Sequence, residues 1–323
     1  MNSWTAHLLV DFYWCMITGL LQLMGVGPPL PGVARQQNLR ETTCSMSYAR
    51  TITLTSLAMI AFAGNSLLCR QALLHTSIDP ASFTSIRLLS GALVLWLLVQ
   101  NRQDAPAGEG NWPSAFALFA YAAGFSFAYI SLSAASGALL LFGAVQVTMI
   151  GHGIWMGERL RALQTLGVVL AFGGLLGLLL PGLSAPPLVG ALLMIGAGIA
   201  WGVYSLRGKG AGDPIRVTAG NFMRAVPITL VLSVFALNLA SVDSAGIGYA
   251  VASGALASGM GYAIWYTVLP ALKNTSAASV QLSVPVIAAL GGIVFLDEPM
   301  TLRLMLASVA ILGGIALVIV QKR

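Results

Sequence analysis

Charged residues are scarce in this chain of 323 residues, of which only 8% are Asp, Glu, Lys or Arg. An average soluble domain carries about 25% charged residues, which help to cover its surface. Hydrophobic residues make up 57% of the chain, and the mean hydropathy is +0.85. This composition excludes a soluble protein and predicts an integral membrane protein in contact with the lipid bilayer.

Residues that could carry metal, disulfide or nucleotide chemistry are also few. The three cysteines, Cys15, Cys44 and Cys69, have no metal-ligand spacing and no evident pairing. The three histidines are scattered, no pair of carboxylates falls within an apolar run, and no phosphate-binding loop occurs. We therefore expect no cofactor, no metal site and no catalytic residue, and a membrane-embedded enzyme is a remote alternative.

Long apolar runs, by contrast, are abundant. A helix needs roughly 20 apolar residues to cross ~30 Å of hydrocarbon, and ten runs after residue 50 approach that length. The predicted spans are residues 51–69, 82–99, 114–132, 136–156, 162–180, 187–206, 217–238, 246–269, 277–296 and 302–320. The predicted fold class is therefore an all-α integral membrane protein with ten transmembrane helices and short links.

The distribution of Lys and Arg predicts the orientation of these spans, because cytoplasmic loops carry the excess of positive charge. If the segment before the first span is cytoplasmic, 12 of the 16 Lys and Arg residues fall on that side. Arg70 and Arg303 fall on the other side, and Arg87 and Arg224 lie within spans. We expect a multi-pass protein of the cytoplasmic (inner) membrane with both termini in the cytoplasm. The net charge of +6 then reflects topology and not nucleic-acid binding.

The chain also repeats itself. Residues 136–180 align without a gap with residues 276–320, and eight of the 45 positions are identical. Each copy carries a Gly-Gly pair, at 173–174 and at 313–314. Because each repeat contains five spans, an odd number, the second repeat is inverted relative to the first. Two inverted five-helix repeats are a common plan of secondary transporters, which rock about a site between the repeats.

The first 45 residues stand apart from the two repeats, whose boundaries we predict at residues 46–183 and 184–323. This segment is largely apolar in its first part but contains Asp11. Three interpretations stay open for residues 1–45: an eleventh span, a signal-like segment, or residues upstream of a start at Met46. We expect an N-terminal extension that is not native or is disordered.

Several short motifs follow the order of the repeats. They are Phe-Ala-Gly-Asn-Ser-Leu-Leu-Cys-Arg (62–70), Arg87, Gly-Glu-Arg-Leu (157–160), Trp-Gly (201–202) with Arg207, and Leu-Asp-Glu-Pro (296–299). In order, spacing and duplication, this pattern over residues 50–320 resembles the drug/metabolite transporter superfamily, EamA type, which consists of two five-helix repeats in ten spans. One departure is that the mid-helix proline typical of the family is present as Pro285, whereas the aligned residue of the first repeat is Val145.

The resemblance implies a carrier of small metabolites, often an exporter of amino acids or related compounds, that works by alternating access. Small multidrug exporters related to this superfamily use a membrane-embedded Glu to exchange protons for cationic drugs. No Asp or Glu falls in the middle of a span here, which argues against cation/proton antiport. A translocator of lipid or lipid-linked sugar with the same architecture is the main alternative.

Polar residues within the spans are the first candidates for substrate binding. Pro285 removes a backbone hydrogen bond in the middle of an apolar span, which lipid tolerates only where the defect is buried in protein or lines a cavity. With Gln281 and Ser283 one turn before it, Pro285 predicts one wall of the substrate path, and a structural kink is the alternative. Gln146 in the fourth span is the pseudo-symmetric neighbour, where substrate contact and an interhelical hydrogen bond are both open.

Arg87 and Arg224 are the charged residues within spans. A buried arginine is costly, usually faces the interior of a helix bundle and often marks an anion path. Either side chain could hold a substrate carboxylate through two parallel hydrogen bonds, and snorkelling toward the membrane surface is the alternative. Asn65 and Asn221 are candidate partners of these cations or of the substrate.

Aromatic residues cluster in the third and eighth spans, and Trp201 and Tyr204 add to them from the sixth. Such side chains can clamp an apolar or aromatic solute, and packing is the alternative for any single one. The two clusters are Tyr121, Phe125 and Tyr129, then Tyr262, Trp265 and Tyr266. From these spans we select as candidate substrate-binding residues Tyr129, Trp201, Tyr204, Tyr262, Trp265 and Tyr266.

Glu158 and Glu298 occupy equivalent positions at helix ends on opposite sides of the membrane. Each has an arginine nearby in sequence, Arg159 or Arg161 for the first and Arg303 for the second. We predict that these glutamates form ion pairs that gate the two mouths of the carrier. A small molecule is the expected partner, and the glycine-rich helix faces permit a homodimer without requiring one.

Overall fold

The computed structural model describes residues 48–100, 109–157, 159–180, 182, 185–208, 213–269, 272 and 280–320. This part of the chain is helical apart from short connections and contains no strand. The predicted all-α fold is thus confirmed. The alternatives for residues 1–45 and the predicted gating residue Glu158 lie outside the described residues.

Ten helices, numbered α1 to α10 in chain order, coincide with the ten predicted spans within the described residues. They are α1 (Tyr48–His75), α2 (Pro80–Gln100), α3 (Trp112–Tyr129), α4 (Ala134–Trp155), α5 (Ala162–Leu179), α6 (Leu188–Arg207), α7 (Pro214–Phe235), α8 (Ser244–Val268), α9 (Ser283–Leu296) and α10 (Leu302–Val320). Helices α1 to α5 form the first repeat and α6 to α10 the second.

Seven of the ten helices are long and apolar enough to cross a membrane, namely α1, α2 and α4 to α8. Helix α9 is a shorter apolar helix of 14 residues, and α10 is apolar over 19 residues. Helix α3 has 18 residues but is less apolar, because Trp112, Pro113 and Ser114 open it and Ser126 lies in its interior. The chain is therefore a multi-pass membrane protein.

Side-chain caps begin several of these helices. Asp79 accepts hydrogen bonds from the backbone amides of Ala81 and Ser82, both at 2.9 Å, and Asp213 accepts one from Ile215 at 3.2 Å. In both repeats the acid is followed by proline at the first helical position, where a missing N–H is harmless. This shared cap sets the start of α2 and of its counterpart α7.

The packing of the helices follows the repeat. Helix α3 packs on α6 as α8 packs on α1, and α4 packs on α6 as α9 packs on α1. Three further pairs consist of a helix and its own counterpart: α2 with α7, α4 with α9, and α5 with α10. Each contact between two helices therefore has an equivalent contact between their counterparts in the other repeat. This is the pattern expected for two inverted repeats related by a pseudo-two-fold axis.

The crossing of α5 and α10 explains why the second position of each Gly-Gly pair is a glycine. A Cβ atom on Gly174 would lie 2.9 Å from the Cβ of Ala310, and one on Gly314 would lie 2.7 Å from the backbone nitrogen of Ala171. By contrast, a Cβ on Gly173 or Gly313 would meet no atom within 4 Å. The second glycine of each pair thus permits the close crossing of the two helices.

Helix α8 is irregular. Its residues Ala252–Met260 are π-helical and have the composition Ala-Ser-Gly-Ala-Leu-Ala-Ser-Gly-Met. A Cβ on Gly254 would overlap the carbonyl oxygen of Arg87 and the Oγ of Ser90, so α8 touches the backbone of α2 at this point. Arg87 is therefore held at the contact between α2 of the first repeat and α8 of the second.

Candidate functional site

A cavity lies between helices of the two repeats. The space free of protein atoms in this cavity is about 330 Å³, a volume that includes the solvent at its open side. Helices α1, α3 and α4 of the first repeat line it together with α6 and α8 of the second, through Phe62, Asn65, Ser66, Tyr121, Phe125, Leu141, Phe142, Trp201 and Tyr262. Its apolar and aromatic walls with a few polar groups are typical of the lining of a small-molecule site.

Arg87 of α2 lies directly behind the wall of this cavity. Its guanidinium carbon is 5.1 Å from the ring centroid of Tyr121 and 4.8 Å from that of Phe125, and both of these rings line the cavity. The Nη2 atom donates to the Oη of Tyr121 at 2.9 Å, and the Nε atom donates to the Oγ of Ser258 at 3.2 Å. The Nη1 atom is buried and has no hydrogen-bond partner in the described part of the chain.

Among the described residues, no acid balances the charge of Arg87. The side chain is only 1% exposed, and the ion pair found among the described residues joins Arg70 to Glu298. A buried cation without a counter-ion is costly in a low-dielectric interior, even where its N–H groups are hydrogen-bonded. The electrostatics of the site therefore favour a bound anion.

Tyr121 connects this charge to the cavity. Its Oη accepts a hydrogen bond from Arg87 and a second one from the Nδ2 of Asn65 at 3.2 Å. These two bonds occupy both lone pairs of the hydroxyl oxygen, so its proton is left for an acceptor on the cavity side, where the hydroxyl of Tyr262 also interacts with it. Ser253 donates to the Oδ1 of Asn65 at 2.6 Å and so fixes the orientation of that amide.

Aromatic rings form the remaining walls. The ring centroid of Trp201 is 4.8 Å from that of Tyr121 and 4.9 Å from that of Tyr262. Phe62 packs edge-on against Tyr262, with 5.7 Å between the ring centroids. Such faces accept an apolar group, and they also attract an ammonium group through cation–π contact.

The structure brings together four of the candidate residues predicted from sequence. Asn65, Trp201 and Tyr262 line the cavity, and Arg87 lies behind Tyr121. Two more lie one layer further out. Tyr204 stacks on Trp201 with 5.4 Å between the centroids, and Trp265 lies edge-on to Phe62 at 6.1 Å.

Arg224 and Asn221 lie elsewhere. Arg224 donates to the backbone carbonyl oxygens of Glu109 and Gly220, so it binds the segment before α3 and does not share the site of Arg87. Asn221 is buried, but its Oδ1 accepts from the amide of Asn111 at 2.8 Å and thereby supports the start of α3. Gln146, Tyr129 and Tyr266 are likewise absent from the lining of the cavity described above.

The prediction of a helix break at Pro285 stays a prediction, because residues 273–279 lie outside the described part of the chain. Val280 and Gln281 are helical, Leu282 is a turn residue with helical backbone angles, and α9 begins at Ser283. Proline has no N–H to donate to the carbonyl oxygen of Gln281, four residues earlier, and this agrees with an interruption of the helix at Leu282. The Ser283 hydroxyl donates to the carbonyl oxygen of Val280 at 2.6 Å, and neither it nor Gln281 lines the cavity.

Glu298 forms an ion pair, but its partner is Arg70 and not the predicted Arg303. Its Oε1 lies 3.1 Å from the Nε of Arg70, and its Oε2 accepts from the amide of Ala134 at 2.7 Å. Arg70 also donates to the carbonyl oxygen of Tyr129 at 2.9 Å. This cluster joins α1, the α3–α4 connection and the residues after α9, while Arg303 donates to the carbonyl oxygen of Leu180.

Several residues of the site were not selected from the sequence. Tyr121 and Phe125 were noted only as members of an aromatic cluster, and Ser253 and Ser258 were not considered. The repeat carries a signal for two of them. The match of Gly124 with Gly261 places Tyr121 and Ser258 at equivalent positions of α3 and α8.

Comparison with known proteins gives a consistent result. The profile of the EamA-like transporter family matches residues 49–180 and again residues 188–320. An uncharacterized protein of Pseudomonas aeruginosa is 57% identical over 274 residues, which cover 84% of this chain and 96% of that protein.

More distant relatives have transporter names. The uncharacterized transporter YoaV of Bacillus subtilis is 24% identical over 253 residues, covering 74% of this chain and 86% of YoaV. The threonine/homoserine exporter RhtA of Salmonella typhimurium is 35% identical over 162 residues, but the match covers only 48% of this chain and 54% of the exporter. A crystal structure with 17% sequence identity has a similar fold, with a TM-score of 0.62 over 86% of this chain and 99% of the other.

Proposed function

The chain belongs to the EamA-like transporter family, and on this premise we propose that it is a secondary transporter that exports small metabolites bearing a carboxylate. Amino acids and closely related compounds are the proposed substrates, and alternating access of the two repeats is the proposed mechanism. The names of its relatives point to a transporter and not to an enzyme.

The buried guanidinium of Arg87 is the observation that carries this proposal. It is fully buried, it has one nitrogen without a hydrogen-bond partner, and no acid pairs with it in the described part of the chain. A carboxylate in the adjacent cavity would supply the missing negative charge. It would also accept the proton of the Tyr121 hydroxyl, which Arg87 polarises.

The aromatic walls support an amino acid in particular. The cavity contains no carboxylate among its lining residues, so an α-ammonium group would meet the faces of Trp201 and Tyr262 and not an acidic side chain. Cation–π contact is worth about 2 kcal/mol or more when it is desolvated. The partial match to a threonine/homoserine exporter supports the same substrate class.

The repeat and the distribution of charge support the mechanism and the location. A site between two inverted repeats is suited to alternating access, because the repeats can rock about it. The excess of Lys and Arg on one side supports insertion into the cytoplasmic membrane with both termini inside the cell.

Counterflow in proteoliposomes tests the proposal. The full chain is reconstituted and assayed with labelled L-threonine, L-homoserine, other neutral amino acids and small organic acids, each beside its neutral amide. We expect saturable accumulation of one carboxylate class and little of its amide. Arg87→Gln should reduce that flux at least tenfold, while the variant Arg50→Gln, at an exposed arginine at the start of α1, should retain it.

Two results would contradict the proposal. One is the absence of saturable counterflow for every compound in the panel, although the protein is shown to be folded and inserted. The other is an equal flux of the carboxylate and its amide that Arg87→Gln does not change. Accumulation of labelled lipid in place of these compounds would favour a lipid translocator.

A further inference from the structure

Two serines of the π-helical stretch in α8 bind the two polar residues at the centre of the site. Ser253 donates to the Oδ1 of Asn65, and Ser258 accepts from the Nε of Arg87. Both serines are buried, with exposures of 0% and 1%. Ser253 thereby fixes an amide that contacts the cavity, and Ser258 fixes one edge of the guanidinium behind it.

The π-helical geometry is what allows both contacts. In an α-helix of 3.6 residues per turn, five residues turn the chain by about 500°, which leaves two side chains five apart about 140° from each other. In a π-helix the hydrogen bond spans five residues and the turn is wider, so side chains five apart are much closer in direction than they are on an α-helix. Ser253 and Ser258 are five residues apart within the stretch Ala252–Met260.

The same stretch also fixes the backbone that carries Arg87. Gly254 touches the backbone of α2 at Arg87. A Cβ on Gly91 of α2 would lie 3.0 Å from the carbonyl oxygen of Gly254, and a Cβ on Gly259 would lie 3.2 Å from the carbonyl oxygen of Gly91. The distance between α2 and α8 is therefore set by backbone contact. A change of helical register in α8 would move both serines relative to α2.

We propose that the π-helical stretch is the positioning element of the substrate site, with Ser258 setting the direction of the Arg87 guanidinium and Ser253 that of the Asn65 amide. Ser258 holds the Nε edge of Arg87, which leaves Nη1 and Nη2 for Tyr121 and a carboxylate. This inference rests on the proposed function, because it assigns the two serines to recognition of the same carboxylate.

A spectroscopic experiment tests the positioning without relying on transport. The full chain is labelled with ¹⁵N-arginine in nanodiscs, and the Nε–H resonance of Arg87 is identified by its loss in Arg87→Lys. We expect Ser258→Ala to shift that resonance and the matched variant Ser131→Ala, in the α3–α4 connection, to leave it unchanged. An unchanged Arg87 resonance in Ser258→Ala would overturn the proposal.

A relocated serine tests the register. In Ala257→Ser/Ser258→Ala the two serines are four residues apart, the spacing that aligns side chains on an α-helix. We expect this double variant to show the same Arg87 resonance as Ser258→Ala. Recovery of the parental resonance would mean that an α-helical register suffices, and the π-helical positioning would be refuted.

Counterflow with the amino acid that the parent protein transports gives the functional readout. We expect Ser258→Ala to raise the KM for that amino acid about tenfold and to reduce the preference for the acid over its amide by a similar factor. A merely structural role would lower the amount of active carrier and leave this preference unchanged, which would overturn the proposal. If the parent transports no compound of the panel, the proposed function fails, while the resonance of Arg87 still decides the positioning.

Discussion

Tyr121 and Ser258 occupy equivalent positions in the two repeats, and both bind the guanidinium of Arg87. The match of Gly124 with Gly261 relates them, and their hydroxyl oxygens lie 2.9 Å from Nη2 and 3.2 Å from Nε of Arg87. The guanidinium thus lies between the counterpart helices α3 and α8, near the pseudo-two-fold axis. A group at this place can stay in contact with both repeats while they move, which is suited to the site of a carrier.

Only one repeat supplies a charge at this axis. The match of Asp79 with Asp213 makes Asn221 the counterpart of Arg87. Asn221 accepts from the amide of Asn111, which belongs to the first repeat, and donates to the hydroxyl of Tyr204 in the second. The site is therefore electrostatically asymmetric, although the helices around it are arranged symmetrically.

Removing one oxygen atom tests the connection between Arg87 and the cavity. Tyr121→Phe keeps the ring against Trp201 but leaves donors on Arg87 and Asn65 without their acceptor. An unsatisfied buried polar group costs about 1–3 kcal/mol, so we expect the KM for the transported carboxylate to rise roughly tenfold in counterflow. Tyr249→Phe, in α8 outside the cavity lining, is the matched control, and equal KM values in the two variants would argue against a role for the Tyr121 hydroxyl.

Adjacent glycines test the α5–α10 crossing. Gly174→Ala places a methyl group 2.9 Å from the side chains of Ala310 and Ile311, whereas Gly173→Ala meets nothing within 4 Å. Overpacking costs typically about 1–3 kcal/mol, so thermal unfolding in detergent should occur at a lower temperature for Gly174→Ala than for the parent. Gly173→Ala should match the parent or exceed it slightly, because alanine favours the helix by up to about 1 kcal/mol. Equal melting temperatures of the two variants would contradict the observed crossing.

Asp79, which caps the start of α2, makes the stability of the fold depend on pH. Burial raises the pKa of its carboxyl group, but hydrogen bonds from Ser82, Ser241 and Ala81 outweigh that effect, so the pKa lies below its ordinary value of 3.8. The ionised form is therefore the one that stabilises the fold. Its contribution is complete above the ordinary pKa and is lost as the pH falls through the lower pKa of the folded state.

The variant Asp79→Ala should show this dependence. Loss of an N-cap costs typically about 1 kcal/mol, which corresponds to a decrease of about 1–2 °C in Tm for 323 residues at ~2.1 cal/mol/K per residue. We expect that decrease at pH 7 and a smaller difference from the parent below pH ~3.9. The measurement is thermal unfolding in detergent, and a difference that is constant with pH would show that the carboxylate is not the stabilising form.

The Arg70–Glu298 cluster provides a test of gating. Glu298→Gln removes the charge that binds Arg70 and weakens the link between α1 and the residues after α9. Cys69 precedes Arg70 in α1 and is buried, so it reports opening at this end. In a background with Cys15 and Cys44 replaced by serine, we expect a membrane-impermeant maleimide to modify Cys69 several times faster in Glu298→Gln than in the parent.

Asp297→Asn is the matched control for that experiment. Asp297 neighbours Glu298 and has a left-handed backbone with φ 52°, a conformation that asparagine also tolerates. It should leave the modification rate of Cys69 unchanged. Equal rates in the parent and in Glu298→Gln would mean that the ion pair does not hold this end closed.

Much of the fold follows from the sequence, because lipid requires long apolar helices and the repeat relates them to one another. A charge within an apolar span pointed to Arg87, with Asn65 as a candidate partner, and aromatic residues of the third, sixth and eighth spans pointed to Trp201 and Tyr262. These are strong signals, since a charge or an amide within an apolar span is rare and has to be accommodated by specific partners.

The rest depends on contacts that a sequence does not display. Arg87 and Arg224 are the same residue type within similar apolar runs, but Arg224 reaches the carbonyl oxygen of Glu109, 115 residues away. A proline in an apolar run does not say where the helix is interrupted, and here the turn lies at Leu282, three residues before Pro285. The π-helical stretch is a run of Ala, Gly and Ser with one Leu and one Met, and such composition gives no sign of its register.

The absence of an acid beside Arg87 has an electrical consequence. A fixed positive charge that moves along the membrane normal during rocking senses the membrane potential, which contributes ~2.3 kcal/mol per charge per 100 mV across the full field. An anionic substrate would cancel that charge in the loaded carrier, whereas a zwitterionic amino acid would leave it in place. On the proposed function, the membrane voltage itself therefore discriminates between these two kinds of substrate, without any further contact in the cavity.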